Sequence, residues 1–253
     1  KYENIKSYLE DCFKSSNLIL SCSKFCANSG KKYLNIDYPV KVIYNNVNPE
    51  IYSSLNDKTI IRKENGISKD SIVLMTMCKM NHEMGIDFLL RIHKKILAID
   101  PRLVIFFVGA KDTLSNKIRK LSNLNKRISY SFNISAEKKP FYFSCADIFT
   151  APTIGNHACM GIANIEAMMT GVPVISSDSG GHSETIEDKH DGYIIPLKHD
   201  SLDEDEYLKR LKSLVLDKNL RNEIGLRTRK RALELFSNEK IVDAHIDVIN
   251  KFI

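Results

Sequence analysis

No apolar run in this chain is long enough to cross a bilayer. The longest, Leu103–Val108, is far too short. The first residue is Lys1, and no charged-then-apolar signal pattern follows it. The chain is therefore expected to be a piece of a longer protein, with any targeting segment upstream left open. Six cysteines (Cys12, Cys22, Cys26, Cys78, Cys145 and Cys159) are scattered along it. Cys22 and Cys26 stand four apart, but no second Cys/His pair completes a zinc site. Free, mostly buried thiols in a reducing, cytoplasmic compartment are expected. The chain has no Ser-His-Asp order with suitable flanks, no P-loop, no internal repeat and no low-complexity tract. It also lacks the aromatic-basic interleaving of a nucleic-acid binder, so its net charge of +6 and pI of 8.9 are assigned to other partners. A mildly basic surface suits an anionic small ligand or an anionic membrane surface.

What is present fills these limits. At 253 residues and 43% hydrophobic, there is room for one large domain, or one and part of another. Apolar strands alternate with helical patterns. Ser71–Met77 reads as a buried strand. Leu89, Ile92, Ile96 and Ile99 put one face on a helix over Gly85–Ala98. Leu103–Val108, Arg127–Phe132 and Tyr193–Leu197 read as further strands, and Asn219–Phe236 and Asn238–Ile253 as closing helices. The alternation predicts an α/β fold with a doubly wound parallel sheet. Its centre is Asp147–Glu184. A strand at Asp147–Thr150 leads through a small-residue loop to a helix opened by Gly161 and stopped by Gly171 and Pro173. A second strand, Val174–Ser176, runs straight into Gly180-Gly181. That is a βαβ unit with free N–H groups at a helix start, which suits an anion, typically a phosphate.

The same stretch resembles a known family. Glu166-Ala167-Met168, Gly171-Val172-Pro173-Val174-Ile175, Gly180-Gly181 and Glu184 look like the signature of the retaining family 4 glycosyltransferases of GT-B fold. The resemblance covers roughly Ile19 to Ile253. It implies a Rossmann-like, donor-binding C-terminal domain of GT-B type over residues 71–253. Residues 1–48 become a remnant of the acceptor-side domain, and 49–70 a linker. Val42–Asn48 resembles the family's junction between the domains, with Asn46 in place of a glycine.

The resemblance also implies site roles. Glu166 would hold the ribose of a nucleotide-sugar donor, and the N–H groups of Gly161, Ile162 and Ala163 its diphosphate. Lys79 stands where the family has an Arg, Ile134 where backbone meets the nucleobase, and Gly180, Gly181 and Glu184 on the donor loop. Two positions depart. Ala158 replaces a Glu beside the donor sugar, and Met84 replaces a Lys at the leaving phosphate. The catalytic residue is left unassigned. The reading is a metal-independent, retaining transfer from a UDP- or GDP-sugar, a substrate rather than a cofactor. The acceptor would be a glycan, lipid or protein. A peripheral membrane contact at the cytoplasmic face, through the basic run Arg227–Arg231, or a second glycosyltransferase subunit would be a further partner. The basic run reads first as a solvated helix face, ahead of the membrane or partner contact. The alternative is a catalytically degenerate binding or scaffold module. An epimerase or phosphorylase on the same fold fits the pattern less well.

Overall fold

In the computed structural model, described over residues 2–53, 58–199 and 201–251, the chain opens with α1 (Tyr2–Ser15), β1 (Ile19–Ser21), α2 (Lys24–Leu34) and β2 (Val40–Val42). There follow α3 (Lys58–Glu64), β3 (Ile72–Lys79), α4 (Ile86–Leu97), β4 (Leu103–Ala110), α5 (Ser115–Leu124) and β5 (Ile128–Phe132). Then come α6 (Lys139–Cys145), β6 (Ile148–Ala151), α7 (Ile162–Met169), β7 (Val174–Ser177), α8 (His182–Thr185) and β8 (Tyr193–Ile195). A small hairpin, β9 (Leu197–Lys198) and β10 (Ser201–Leu202), leads to α9 (Glu204–Leu216), α10 (Lys218–Phe236) and α11 (Asn238–Ile249).

Strands β3 to β8 form one six-stranded sheet in the order β5-β4-β3-β6-β7-β8, every pair parallel. Buried on both faces, its central strands read as near-continuous apolar runs. Alternate side chains serve opposite layers. Ile72 and Leu74 of β3 with Leu103, Ile105 and Phe107 of β4 face α4, α5 and α9. Val73, Met75, Val104, Phe106 and Val108 face α3, α6 and α7. The chain leaves β3 in one direction to β4 and β5, then returns to place β6 on the other side. The carboxyl ends of β3 and β6 therefore carry connections that diverge, and a crevice opens there.

β1 and β2 pair only with each other, in parallel, outside the main sheet. α11 joins this small unit to the rest, with Ile241 and Val248 packed around Ile43. The stretch expected as a linker, 49–70, contains α3. Its residues 54–57 lie outside the described residues, but Arg62 is buried. The Arg62 guanidinium donates to the carbonyl of Cys145 and to the Asp147 carboxylate at 2.7 Å. Composition could not reveal this, because the polar residue that anchors the helix is the feature that makes the stretch look solvated. α8 follows Gly180-Gly181 directly, as a strand-to-helix turn would place it. The basic run is largely consumed inside the fold. Arg227, Arg229 and Arg231 donate to the carbonyls of His190, Met169 and Thr185, and Lys230 lies 3.9 Å from Glu234.

Candidate functional site

The crevice at the switch point holds a cavity of about 300 Å³. Met77 and Cys78 at the end of β3, Pro152 and Thr153 beyond β6, and Met84 before α4 form one side. The loop Ala158–Met160, the start of α7 and His182 form the other. The loops are held by serine hydroxyls rather than by regular structure. Ser177 Oγ donates to the Thr153 carbonyl at 2.5 Å and Ser179 Oγ to the Gly155 carbonyl at 2.7 Å. Gly181 N–H donates to the Ala158 carbonyl at 2.9 Å. A Cβ at Gly180 or Gly181 would stand 1.9 or 2.1 Å from the Ala158 or Cys159 carbonyl oxygen, so only glycine permits this approach.

Gly161 is the N-cap of α7 at φ +81°. Asn164 N–H, the third in the helix, reaches the Gly161 carbonyl at 2.9 Å. The N–H groups of Ile162 and Ala163 precede it and have no acceptor among the described residues. They face the cavity as the open positive end of the helix. A Cβ on Gly161 would lie 2.5 Å from His182 Cδ2 and 2.9 Å from its Nε2. The imidazole is thus packed against the helix start.

His182, Ser176 and Asn164 form one buried network. Ser176 Oγ lies 2.8 Å from His182 Nδ1 and 3.1 Å from Asn164 Nδ2. Ser176 Oγ accepts from the Asn164 amide N–H and also reaches the Ala151 carbonyl at 3.4 Å, so its hydroxyl can donate to His182 Nδ1 or accept from it. Burial pushes the His182 pKa down to about 4, so the ring is neutral at physiological pH. Asn164 Oδ1 is buried against this wall without a partner among the described residues. An orphaned acceptor of this kind is costly in a structure without a ligand.

The other expected site residues fall in three places. Ile162, Ala163 and Gly161 line the cavity, as do Ala158 and Met84, the two departures from the family pattern. Glu166, two residues past Asn164, is buried, and its Oε1 accepts from the Tyr52 hydroxyl and from Lys139 Nζ, each at 2.5 Å. Burial and the Glu166 carboxylate together raise the Tyr52 pKa. Glu166 therefore sits behind the cavity wall in an ion pair with α6. Lys79 is exposed beside Cys78 at the end of β3. Ile134 is half-buried against the α6–α7 layer.

Glu184, expected on the donor loop, stands in α8 just past Gly180-Gly181. Its two carboxylate oxygens accept the Lys24 and Phe25 N–H groups, both at 2.8 Å, and so cap α2 from another part of the chain. Sequence reasoning passed over Tyr52, Lys139, Asn164 and Ser176, and took His182 for a loop residue rather than a catalyst. Only His182 had a local signal, its place next to two glycines. Away from the cavity, Glu187, His190 and Asp191 bring potential metal ligands together, and Arg231 already lies 3.5 Å from both carboxylates.

Residues 57–231 match the family described as glycosyl transferases group 1. An uncharacterised glycosyltransferase of Methanocaldococcus jannaschii is 31% identical over 169 residues, 64% of this chain and 43% of that protein. N-acetyl-alpha-D-glucosaminyl L-malate synthase of Bacillus anthracis is 22% identical over 92% of this chain and 59% of its own length. Among solved structures, sucrose-phosphate synthase of Thermosynechococcus elongatus superposes with a TM-score of 0.81 at 19% identity, over 99% of this chain and 62% of that one. The chain thus spans about half of the length of these curated relatives. The likeness to GT-B structures establishes the fold.

Proposed function

The chain belongs to the glycosyl transferases group 1 family, and from that premise we propose that it is the donor-side domain of a glycosyltransferase. The reaction proposed moves a sugar from a nucleoside-diphosphate sugar, a UDP- or GDP-sugar, to a glycan, lipid or protein acceptor. It proceeds with retention at the anomeric carbon and without a metal. The observation that carries this reading is the cavity at the β3/β6 switch point with the start of α7 opening into it. The N–H groups of Ile162 and Ala163 would receive a diphosphate there. In its Nε2–H tautomer the neutral His182 imidazole would donate to a donor oxygen without adding charge, and Lys79 would supply the cation at the mouth. The ribose is assigned to Glu166, whose carboxylate would exchange its Tyr52 or Lys139 contact for two sugar hydroxyls. The test is a thermal-shift screen with UDP-, GDP- and ADP-sugars, comparing the native chain with Glu166→Ala. A ligand at a hundredfold its Kd adds about 2.7 kcal/mol, well within reach of the method. One nucleotide class should stabilise the native chain and not the variant. Equal shifts in both would remove Glu166 from the site, and no shift with any nucleotide would defeat the donor assignment.

Ala158 and Met84 support a second reading, a module that has lost turnover and binds a partner transferase. Both line the cavity where the family carries a carboxylate and a cation. Losing one such electrostatic donor costs about 2.7–4 kcal/mol of transition-state stabilisation. The double change Ala158→Glu with Met84→Lys separates the readings. A large gain in donor hydrolysis would mark a decayed catalytic site. Donor binding without any gain would leave the binding module.

A further inference from the structure

Cys26 and Cys159 are far apart in the chain, yet the fold lays the start of α2 against the cavity loop that carries Cys159. Cys159 is exposed and lies in the loop that forms the cavity wall. Cys26, in the first turn of α2, places its Sγ 3.7 Å from the Cys159 carbonyl oxygen. Ser23 Oγ donates to that same carbonyl at 2.7 Å, so the start of α2 is clamped onto the Cys159 backbone. Glu184 caps α2 from the glycine loop and fixes the approach from a second direction. The Cys26 thiol is thereby held directly against the backbone of Cys159.

We propose that Cys26 and Cys159 are a dithiol modification site, oxidised by a low-molecular-weight disulfide to an intramolecular bond that ties α2 to the cavity loop. The steps balance. The Cys159 thiolate attacks one sulfur of the small disulfide and expels one thiolate. The Cys26 thiolate then attacks the Cys159 sulfur of this mixed disulfide and expels the second. The two protein thiols are oxidised, the small disulfide is reduced to two thiols, and these take up the two protons. Exposure selects Cys159 for the first attack and reach selects Cys26 for the second. Burial raises the thiols of Cys78 and Cys145 to about 12; the Cys159 thiol is raised too, by Cys26 first and then by burial, so exposure and not acidity sets Cys159 apart. The inference does not depend on which nucleotide the cavity takes.

The test is incubation of the 253-residue chain with oxidised glutathione, followed by acid quench, alkylation and peptide mapping by mass spectrometry. The expected product is one peptide pair joining Cys26 to Cys159, retained in Cys22→Ser and absent from Cys26→Ser and Cys159→Ser. Its formation should raise Tm by several degrees, because it closes a long loop, and dithiothreitol should reverse the rise. Circular dichroism checks that each variant folds, with Cys26→Ala as the replacement if the serine form does not. A glutathione adduct that persists on Cys159 of the folded chain would overturn the proposal. A Cys22–Cys26 bond as the main product, or six unmodified thiols, would do the same.

Discussion

His182 is a cavity residue that burial drives to its neutral form. Its folded pKa, about 4, lies below the ordinary 6.5. The unfolded chain therefore binds the proton more readily than the native one. Stability rises with pH between those two values, and the deficit is full once pH falls below the folded value. The interval corresponds to roughly 3 kcal/mol. His182→Gln should remove most of that dependence while keeping a side chain that can bond Ser176. Urea denaturation of both forms at pH 7 and pH 4.5 measures it, and parallel pH profiles in the two proteins would contradict the buried neutral ring. Gly161→Ala tests the same contact from the helix side. The added methyl would meet the imidazole in a backbone region that L-residues avoid. A loss of about 2 kcal/mol is expected by thermal or chemical denaturation. The sequence marked Gly161 for its place at a helix start. It could not mark Asn164 or Ser176, since an Asn in a helix and a Ser in a strand are commonplace until three-dimensional packing closes them on one imidazole.

At the scale of elements, α7 and α2 show two ways of finishing a helix start. α7 leaves its first N–H groups open toward a cavity, which is the arrangement of a ligand-binding helix. α2 is closed, with Ser23 Oγ accepting from Cys26 N–H and Glu184 taking the Lys24 and Phe25 N–H groups. Charge-assisted bonds to a helix N-terminus are stronger than neutral ones. Glu184→Ala should therefore cost about 1.5–3 kcal/mol, and Ser23→Ala about 1 kcal/mol. Hydrogen exchange should place both losses in α2, with β3 and β4 unaffected. Protection lost uniformly across the sheet would contradict a local cap. Glu184 stands in α8, directly after the glycine loop. Its partner is residue 24, which no reading of the local motif includes.

Taken whole, the molecule is a doubly wound sheet with a small α/β unit attached to it, by α11 and by the Ser23 and Glu184 contacts at the start of α2. Ile241 and Val248 close over Ile43, while Val47 N–H donates to the Phe236 carbonyl at 2.9 Å. Replacing Ile241 and Val248 together by alanine should remove about 2–4 kcal/mol of local packing. Amide exchange should then quicken across residues 2–47 while the six-stranded sheet keeps its protection. Loss of protection in β3 and β4 at the same rate would mean that the two parts unfold as one.

What the sequence determined by itself was the periodic part of this protein. Apolar runs of strand length, helical faces such as Leu89, Ile92 and Ile96, and glycine and proline stops are local properties. They are enough for a parallel sheet, a βαβ centre and a family resemblance. Tertiary structure decided the rest, because the contacts concerned are made between residues distant in the chain. Arg62 became the buried anchor of α3 only once the Cys145 carbonyl and Asp147 stood above it. Glu166 met Lys139, Glu184 met α2, and Cys26 met Cys159 across separations that carry no local signal. A polar side chain has the same identity in water or in a core. Its partner alone decides whether it is solvated, structural or part of a site.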